Sequence, residues 1–216
     1  MIIRILYDII ERELHIIGKK DIMKVSVGVS NRHIHLTEEH FKILFGEEAE
    51  LHVRNSIHQP GQFAAEETVT ICTPKAELKK VRIMGPLRPY TQVEISRTDA
   101  YTLGINPPVR DSGDIKGSEA ITIVGPVGTI MLEEGCILAN RHIHITPKQM
   151  ELYELEGLDE VHVQVKGEKG GILSHVSLKV SEDSYFELHL DTDDANAFEL
   201  HNGDIVTILE GKSDDI

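Results

Sequence analysis

This 216-residue sequence predicts a mainly β protein with short helical caps, made of two small related domains behind an N-terminal amphipathic helix. Three observations carry that expectation. A seven-residue element occurs twice, NRHIHLT at 31–37 and NRHIHIT at 140–146, identical at six positions and exchanging Leu for Ile at the seventh; such a match marks duplication of one structural unit. Many short segments are rich in β-branched residues and are bounded by Gly, Pro, Asp or Ser. Their number and spacing favour small barrels or sandwiches over alternating strands and helices.

Taken along the chain, residues 1–22 come first. Ile2, Ile3, Leu6, Ile9, Ile10, Leu14 and Ile17 recur at spacings of three and four, with Arg4, Asp8, Glu11, Arg12 and Glu13 between them. That is an amphipathic helix rather than a signal peptide, whose apolar core is uninterrupted by charge. It would pack on the body of the protein or on a second subunit, or serve as a docking peptide for a larger assembly. MKVSVGVS then reads as a strand leading into the first NRHIHLT. Thr37 caps the helical pattern EEHFKILFGEE, and Thr146 caps PKQMELYELEG, with Pro147 at the first helical position and Gln149 completing a capping box. ELHV at 50–53 and EVHV at 160–163 each open an alternating segment. ETVTICTP, KKVRIMGP, TQVEISRT, SEAITIVGP, GTIMLEEG, CILANR, VSLKVSED, YFELHLD and DIVTILEG follow as strands. INPPVRDSGDIKGSE (105–119) concentrates Pro and Gly and reads as the loop between the units. The domains are expected over 23–110 and 111–216, with exchange of strands between them left open.

Composition excludes several classes. With 22 Lys and Arg against 36 Asp and Glu the net charge is −14, which argues against a general binder of nucleic acid or of anionic membranes. An apolar content of 40% is too high for a disordered chain, and no segment reaches the ~18 apolar residues of a membrane span. Cys72 and Cys136 form no CxxC pair, so reduced thiols and a cytoplasmic setting are expected. No GxSxG, P-loop or GxGxxG element is present.

The twelve histidines carry the chemistry. On an extended segment residues i and i+2 share a face, so His33 with His35, and His142 with His144, can each meet one metal ion. Imidazole pairs of this kind prefer Zn²⁺ among common divalent ions. Remaining ligands would come from neighbouring strands: Glu94 shares a face with Gln92 and Ser96, and His189 sits on the polar face of an otherwise apolar strand. Lys75, Lys79, Lys80, Arg82 and Arg88 concentrate positive charge in an acidic protein, as a polyanion site or as a solvated strand edge.

VGVSNRHIHLT, QPGQFAAEETVTI, VRIMGPLR, TQVEISRTDA, LGINPPVRDSGDIKGS, ANRHIHITP and LHLDTDDANA together resemble the PduL-type phosphate propanoyltransferase family, in order and in spacing, across roughly residues 22–210. The resemblance implies two small β-barrels with short helices and two zinc ions, and an enzyme that interconverts an acyl-CoA plus phosphate with an acyl phosphate plus CoA. It implies His33, His35 and Glu94 as ligands of one zinc, and His142, His144 and His189 as ligands of the other. Arg88 matches the family's phosphate-binding catalytic arginine, and Ser30, Asn31, Arg32, Arg82 and Asn196 match positions that contact CoA. Residues 55–58 (NSIH) depart from the family pattern. Some members enter bacterial microcompartments through an N-terminal segment and others stay free in the cytoplasm, so residues 1–20 are expected to bind shell or core partners or a second copy of the chain. A two-zinc hydrolase and a zinc-stabilised module without activity are the alternatives.

Overall fold

The computed structural model describes residues 23–209; the helix expected over 1–22 lies outside them. In chain order the first half holds strands β1 (Lys24–Ser30), β2 (His33–His35), β3 (Val53–Ser56), β4 (Phe63–Cys72), β5 (Glu77–Gly85), β6 (Gln92–Glu94), β7 (Val109–Arg110), β8 (Glu119–Val124) and β9 (Thr129–Ala139). The second half holds β10 (His142–Ile145), β11 (Glu160–Val165), β12 (Gly171–Val180), β13 (Glu187–Asp191) and β14 (Ile205–Leu209). Four short helices are interspersed: α1 (Glu38–Phe45), α2 (Arg97–Leu103), α3 (Pro147–Leu152) and α4 (Thr192–Ala197). Among the described residues no helix is long and apolar enough to cross a membrane.

The strands close two rings of six. One runs β4–β5–β2–β6–β9–β8 and returns to β4, with β3 beside β4 and β7 beside β9. The other runs β1–β13–β10–β12–β11–β14 and returns to β1. Closure removes the open edges that would otherwise recruit other strands. Among the described residues contacts divide the chain into two compact units, Val29–Asn140 with Leu190–Asn196, and Arg141–His189 with residues 23–28 and 197–209.

The duplication is visible in the pairing. β2 and β10 each lie parallel to one neighbour (β5, β12) and antiparallel to another (β6, β13). The strand before each HxH element is exchanged: β1 precedes β2 in the chain but closes the ring of β10, whereas β9 precedes β10 and closes the ring of β2.

The caps follow the local sequence. Thr37 Oγ accepts the His40 N–H, and Thr146 with Gln149 forms the reciprocal capping box, with Pro147 in the first turn. Two helices escape a strand-based reading. SRTDAYTL turns at Ser96, whose side chain and Asp99 form a second capping box, and DTDDANA forms α4. GTIMLEEG and CILANR are one strand, β9, which passes through Gly135 at φ 140°. ELHV at 50–53 is mostly irregular, with β3 starting only at Val53, so this part of the repeat is not reproduced. In the unit of β2, Ile34, Leu36, Ile71, Ile83, Val93 and Ile123 form the core and are fully buried. Each such side chain contributes about 1.5–3 kcal/mol by leaving water, which holds β2 and β6 rigidly beneath the polar residues they present.

Candidate functional site

β2 and β6 pair antiparallel with His33 opposite Glu94, Ile34 opposite Val93 and His35 opposite Gln92. The pleat therefore sends Ile34 and Val93 into the core and leaves His33, His35, Gln92 and Glu94 together on the other face. His33 Nε2 lies 3.4 Å from Glu94 Oε2, and His35 Nε2 lies 3.6 Å from Glu94 Oε1. The far side of each ring is occupied: His33 Nδ1 is 2.9 Å from the Asn31 carbonyl and His35 Nδ1 is 3.3 Å from the Met84 carbonyl. Each carbonyl takes an Nδ1–H, which leaves the Nε2 lone pair facing the carboxylate. Burial pushes the His35 pKa down to about 4; Glu94 opposes this, while the charges of His33 and Arg88 add to it. His35 is thus a neutral imidazole near pH 7, the form that binds metal.

The second copy repeats the register. β10 and β13 pair with His142 opposite His189, Ile143 opposite Leu188 and His144 opposite Glu187. His142 Nε2 and His144 Nε2 are 3.2 Å apart, and the His189 ring centroid lies 5.2 and 4.6 Å from those of His142 and His144. Within each triad the ligand-type atoms fall within 4.8 Å of one another. Zinc bonds of ~2.0 Å in a tetrahedron place ligand atoms about 3.3 Å apart, close to the 3.2, 3.4 and 3.6 Å separations here. Two imidazoles with a carboxylate, and three imidazoles, are both donor sets that leave a fourth position for a substrate. The residues fit the metal that the resemblance implies.

The duplication also relates Gln92 to Glu187, each two residues before the third member of its triad and each buried. Their chemistry is inverted. Gln92 Nε2 donates to the Glu94 carboxylate at 2.6 Å, whereas the Glu187 carboxylate lies 2.9 Å from His189 Nε2. An amide donor steadies the carboxylate, and a carboxylate acceptor steadies the imidazole. Gly28 makes room for the latter: a Cβ there would fall 2.8 Å from the Glu187 carboxyl carbon.

Arg88 lies in the unit of the first triad, its backbone N–H bonded to the Leu36 carbonyl one residue beyond His35. Among the described residues its guanidinium is held by neutral oxygens alone. Nη1 donates to Tyr90 Oη at 3.3 Å and Ser112 Oγ at 3.2 Å, and Nη2 donates to Gln62 Oε1 at 3.4 Å. Among the described residues no carboxylate pairs with it. A fixed, half-buried cation without a counter-ion is a seat for an anion. Segment 105–119 belongs to this unit and delivers Ser112.

Ser30 ends β1, half-buried. Asn31 Oδ1 accepts the Arg32 N–H at 2.7 Å, and Arg32 pairs with Asp99 at 2.6 Å, tying β2 to the N-terminus of α2. Arg82 stands opposite His33 on β5, and its Nη1 donates to the Ala65 and Glu66 carbonyls; burial, and then Arg54, lower its pKa. Asn196 is exposed on α4, in the same unit. Lys79 is spent on Glu77, and Lys75 on Tyr101, so these two cations do not converge on Arg88. Of the other histidines, His52 pairs with Glu67, His40 with Thr91, and His162 is buried with no partner among the described residues for either ring nitrogen. Sequence reading missed Gln62, Tyr90, Gln92, Ser112 and Glu187. The signal available for Gln92 and Glu187 was their i−2 position on the same strand face as a ligand candidate.

Known proteins resemble this chain over most of its length. The family model described as phosphate propanoyltransferase matches residues 26–201. A phosphate propanoyltransferase of Thermotoga maritima is 51% identical over 187 residues, covering 86% of this chain and 89% of its own length. Its counterpart in Rhodopseudomonas palustris is 48% identical over 190 residues (88% and 84%), and that of Salmonella typhimurium is 46% identical over 174 residues (80% and 82%). By this match over residues 26–201 and these identities, the chain belongs to the phosphate propanoyltransferase family.

Proposed function

We propose that this acyltransferase interconverts a short-chain acyl-CoA and inorganic phosphate with an acyl phosphate and CoA, one zinc ion being held by His33, His35 and Glu94 and another by His142, His144 and His189. The propanoyl group named for the relatives is the acyl group this reading takes first. A phosphate oxygen attacks the thioester carbonyl carbon, a new C–O bond forms, the C–S bond breaks, and CoA departs as thiolate. When bound, zinc supplies Lewis acidity toward oxygen and a soft seat for sulfur.

The chain's own groups supply the rest. Arg88 grips phosphate and offsets the charge that builds on the tetrahedral intermediate. Tyr90, Ser112 and Gln62 hold the guanidinium in place beforehand, so no reorganisation is needed as the charge develops. Transfer is direct, without an acyl-enzyme. Both thiols are poor candidates for a nucleophile: burial pushes Cys136 up to about 12, and burial followed by Glu77 raises Cys72. Ser30, Asn31, Arg32, Arg82 and Asn196 contact CoA in this reading. Residues 1–20 dock to a microcompartment protein or to a second copy of the chain.

The observation that carries the reading is Arg88, a cation without a carboxylate partner among the described residues, whose charge helps to lower the His35 pKa in the first triad. The test is release of CoA thiol from acetyl-CoA and propanoyl-CoA by purified protein, with and without phosphate, and with metal content measured on the same sample. Release that depends on phosphate and scales with zinc supports it. Equal release in phosphate-free buffer means a hydrolase.

A further inference from the structure

The Gln92 side chain fixes the direction of the hydrogen bonds at Ser112. Gln92 is fully buried, and its Oε1 lies 2.7 Å from the backbone nitrogen of Gly113. A backbone N–H can only donate, so the amide oxygen must face Gly113 and the amide nitrogen must face the other way. Nε2 then has two hydrogens and two acceptors, Glu94 Oε1 at 2.6 Å and Ser112 Oγ at 2.9 Å. Ser112 Oγ also receives the Arg88 Nη1–H at 3.2 Å. A hydroxyl oxygen has two lone pairs and one hydrogen. Both lone pairs are taken by N–H donors, so the Ser112 hydroxyl is obliged to donate. Among the described residues no acceptor receives that hydrogen.

We propose that Ser112 is a phosphate-binding residue, its hydroxyl donating to an oxygen of the phosphate that Arg88 holds. The inference rests on Arg88 being the phosphate site. It adds a second donor whose direction is set by Gln92, which also steadies the metal-ligand candidate Glu94. One buried amide thereby aligns a ligand carboxylate and a phosphate donor at once. Arginine supplies charge and a planar fork of donors, and the hydroxyl adds one further directed donor without charge. Together they select one orientation of a tetrahedral anion.

The experiment compares Ser112→Ala, Ser112→Thr and Arg88→Ala with the parent enzyme in the zinc-loaded full chain. It varies phosphate at saturating acyl-CoA and acyl-CoA at saturating phosphate, and determines zinc on each sample. Loss of a hydrogen bond to a charged partner corresponds to roughly 10- to 100-fold in affinity. Ser112→Ala should therefore raise KM for phosphate by about 10-fold or more while KM for acyl-CoA and zinc content stay within about 2-fold. Ser112→Thr, which keeps the hydroxyl, should recover most of the difference. An unchanged phosphate KM in Ser112→Ala overturns the inference, as does equal impairment in Ala and Thr, or a loss of zinc in Ser112→Ala. If Arg88→Ala also leaves phosphate dependence unchanged, the phosphate site itself has been misplaced, and that outcome is separate from failure at Ser112 alone.

Discussion

Replacing Arg88 by Ala tests the chemistry most directly, and the structure sets the size of the effect. A guanidinium has five N–H donors, and three of them are committed to Tyr90, Ser112 and Gln62. The two left, on Nε and Nη2, can serve an anion as a fork. Each charge-assisted hydrogen bond contributes about 1.5–3 kcal/mol, so removing both costs about 3–6 kcal/mol, or roughly 10²- to 10⁴-fold in kcat/KM for phosphate. Arg88→Lys keeps the charge but not the fork, and should lose about 10- to 100-fold. The assay is CoA thiol release against phosphate concentration, with zinc measured by mass spectrometry to show that the triads are intact. Arg88→Ala holding its zinc while retaining kcat/KM within about 3-fold would refute the assignment of the anion site.

Three further outcomes are expected. Glu187→Gln, which replaces an acceptor by an amide beneath His189, should weaken zinc at the second triad by about 10- to 100-fold in a competition titration with a metal buffer; unchanged affinity would show that Glu187 does not orient the ring. At pH 8 a Cys136 thiol with a pKa of about 12 is ionised to roughly one part in 10⁴, so a chromogenic disulfide reagent should label it only after denaturation; rapid labelling of the native protein would contradict that environment. His162 is 2% exposed and neither ring nitrogen is bonded among the described residues, so His162→Leu should stabilise by about 1–3 kcal/mol through removal of the unsatisfied groups. A fall in Tm for that variant would mean that the ring is solvated inside the barrel.

The metal-ligand candidates were legible because a strand has a side-chain period of two, and His33 with His35 needs nothing more than an extended backbone to share a face. Glu94 and His189 were legible as polar residues on strands with apolar neighbours, although only the antiparallel register sets them opposite His33 and His142. Helices α1 and α3 announced themselves through Thr37 and Thr146. α2 did not, because Ser96 caps a helix directly after a strand and the apolar run before it carries the β pattern through. The setting of Arg88 was hidden for a different reason. Gln62, Tyr90 and Ser112 come from separate segments and contribute single polar atoms, a coincidence that leaves no periodic trace in the chain. Which strand closes which ring was equally hidden, since β1 and β9 carry similar alternating patterns and local sequence does not distinguish their partners.

The exchange of β1 bears on synthesis at the ribosome. Lys24 and Val25 emerge early, yet their partners Thr207 and Val206 are among the last described residues to be made. The first stave of that barrel must wait, unpaired, while the whole of the other barrel is translated. Because Lys24 and Thr207 finish as neighbours, a circular permutant that begins at Asn31 and carries residues 23–30 after Leu209 would bring all six strands of that ring into one continuous stretch. Such a rearranged gene should yield a polypeptide that matures with less delay and less nascent-chain aggregation than the natural order.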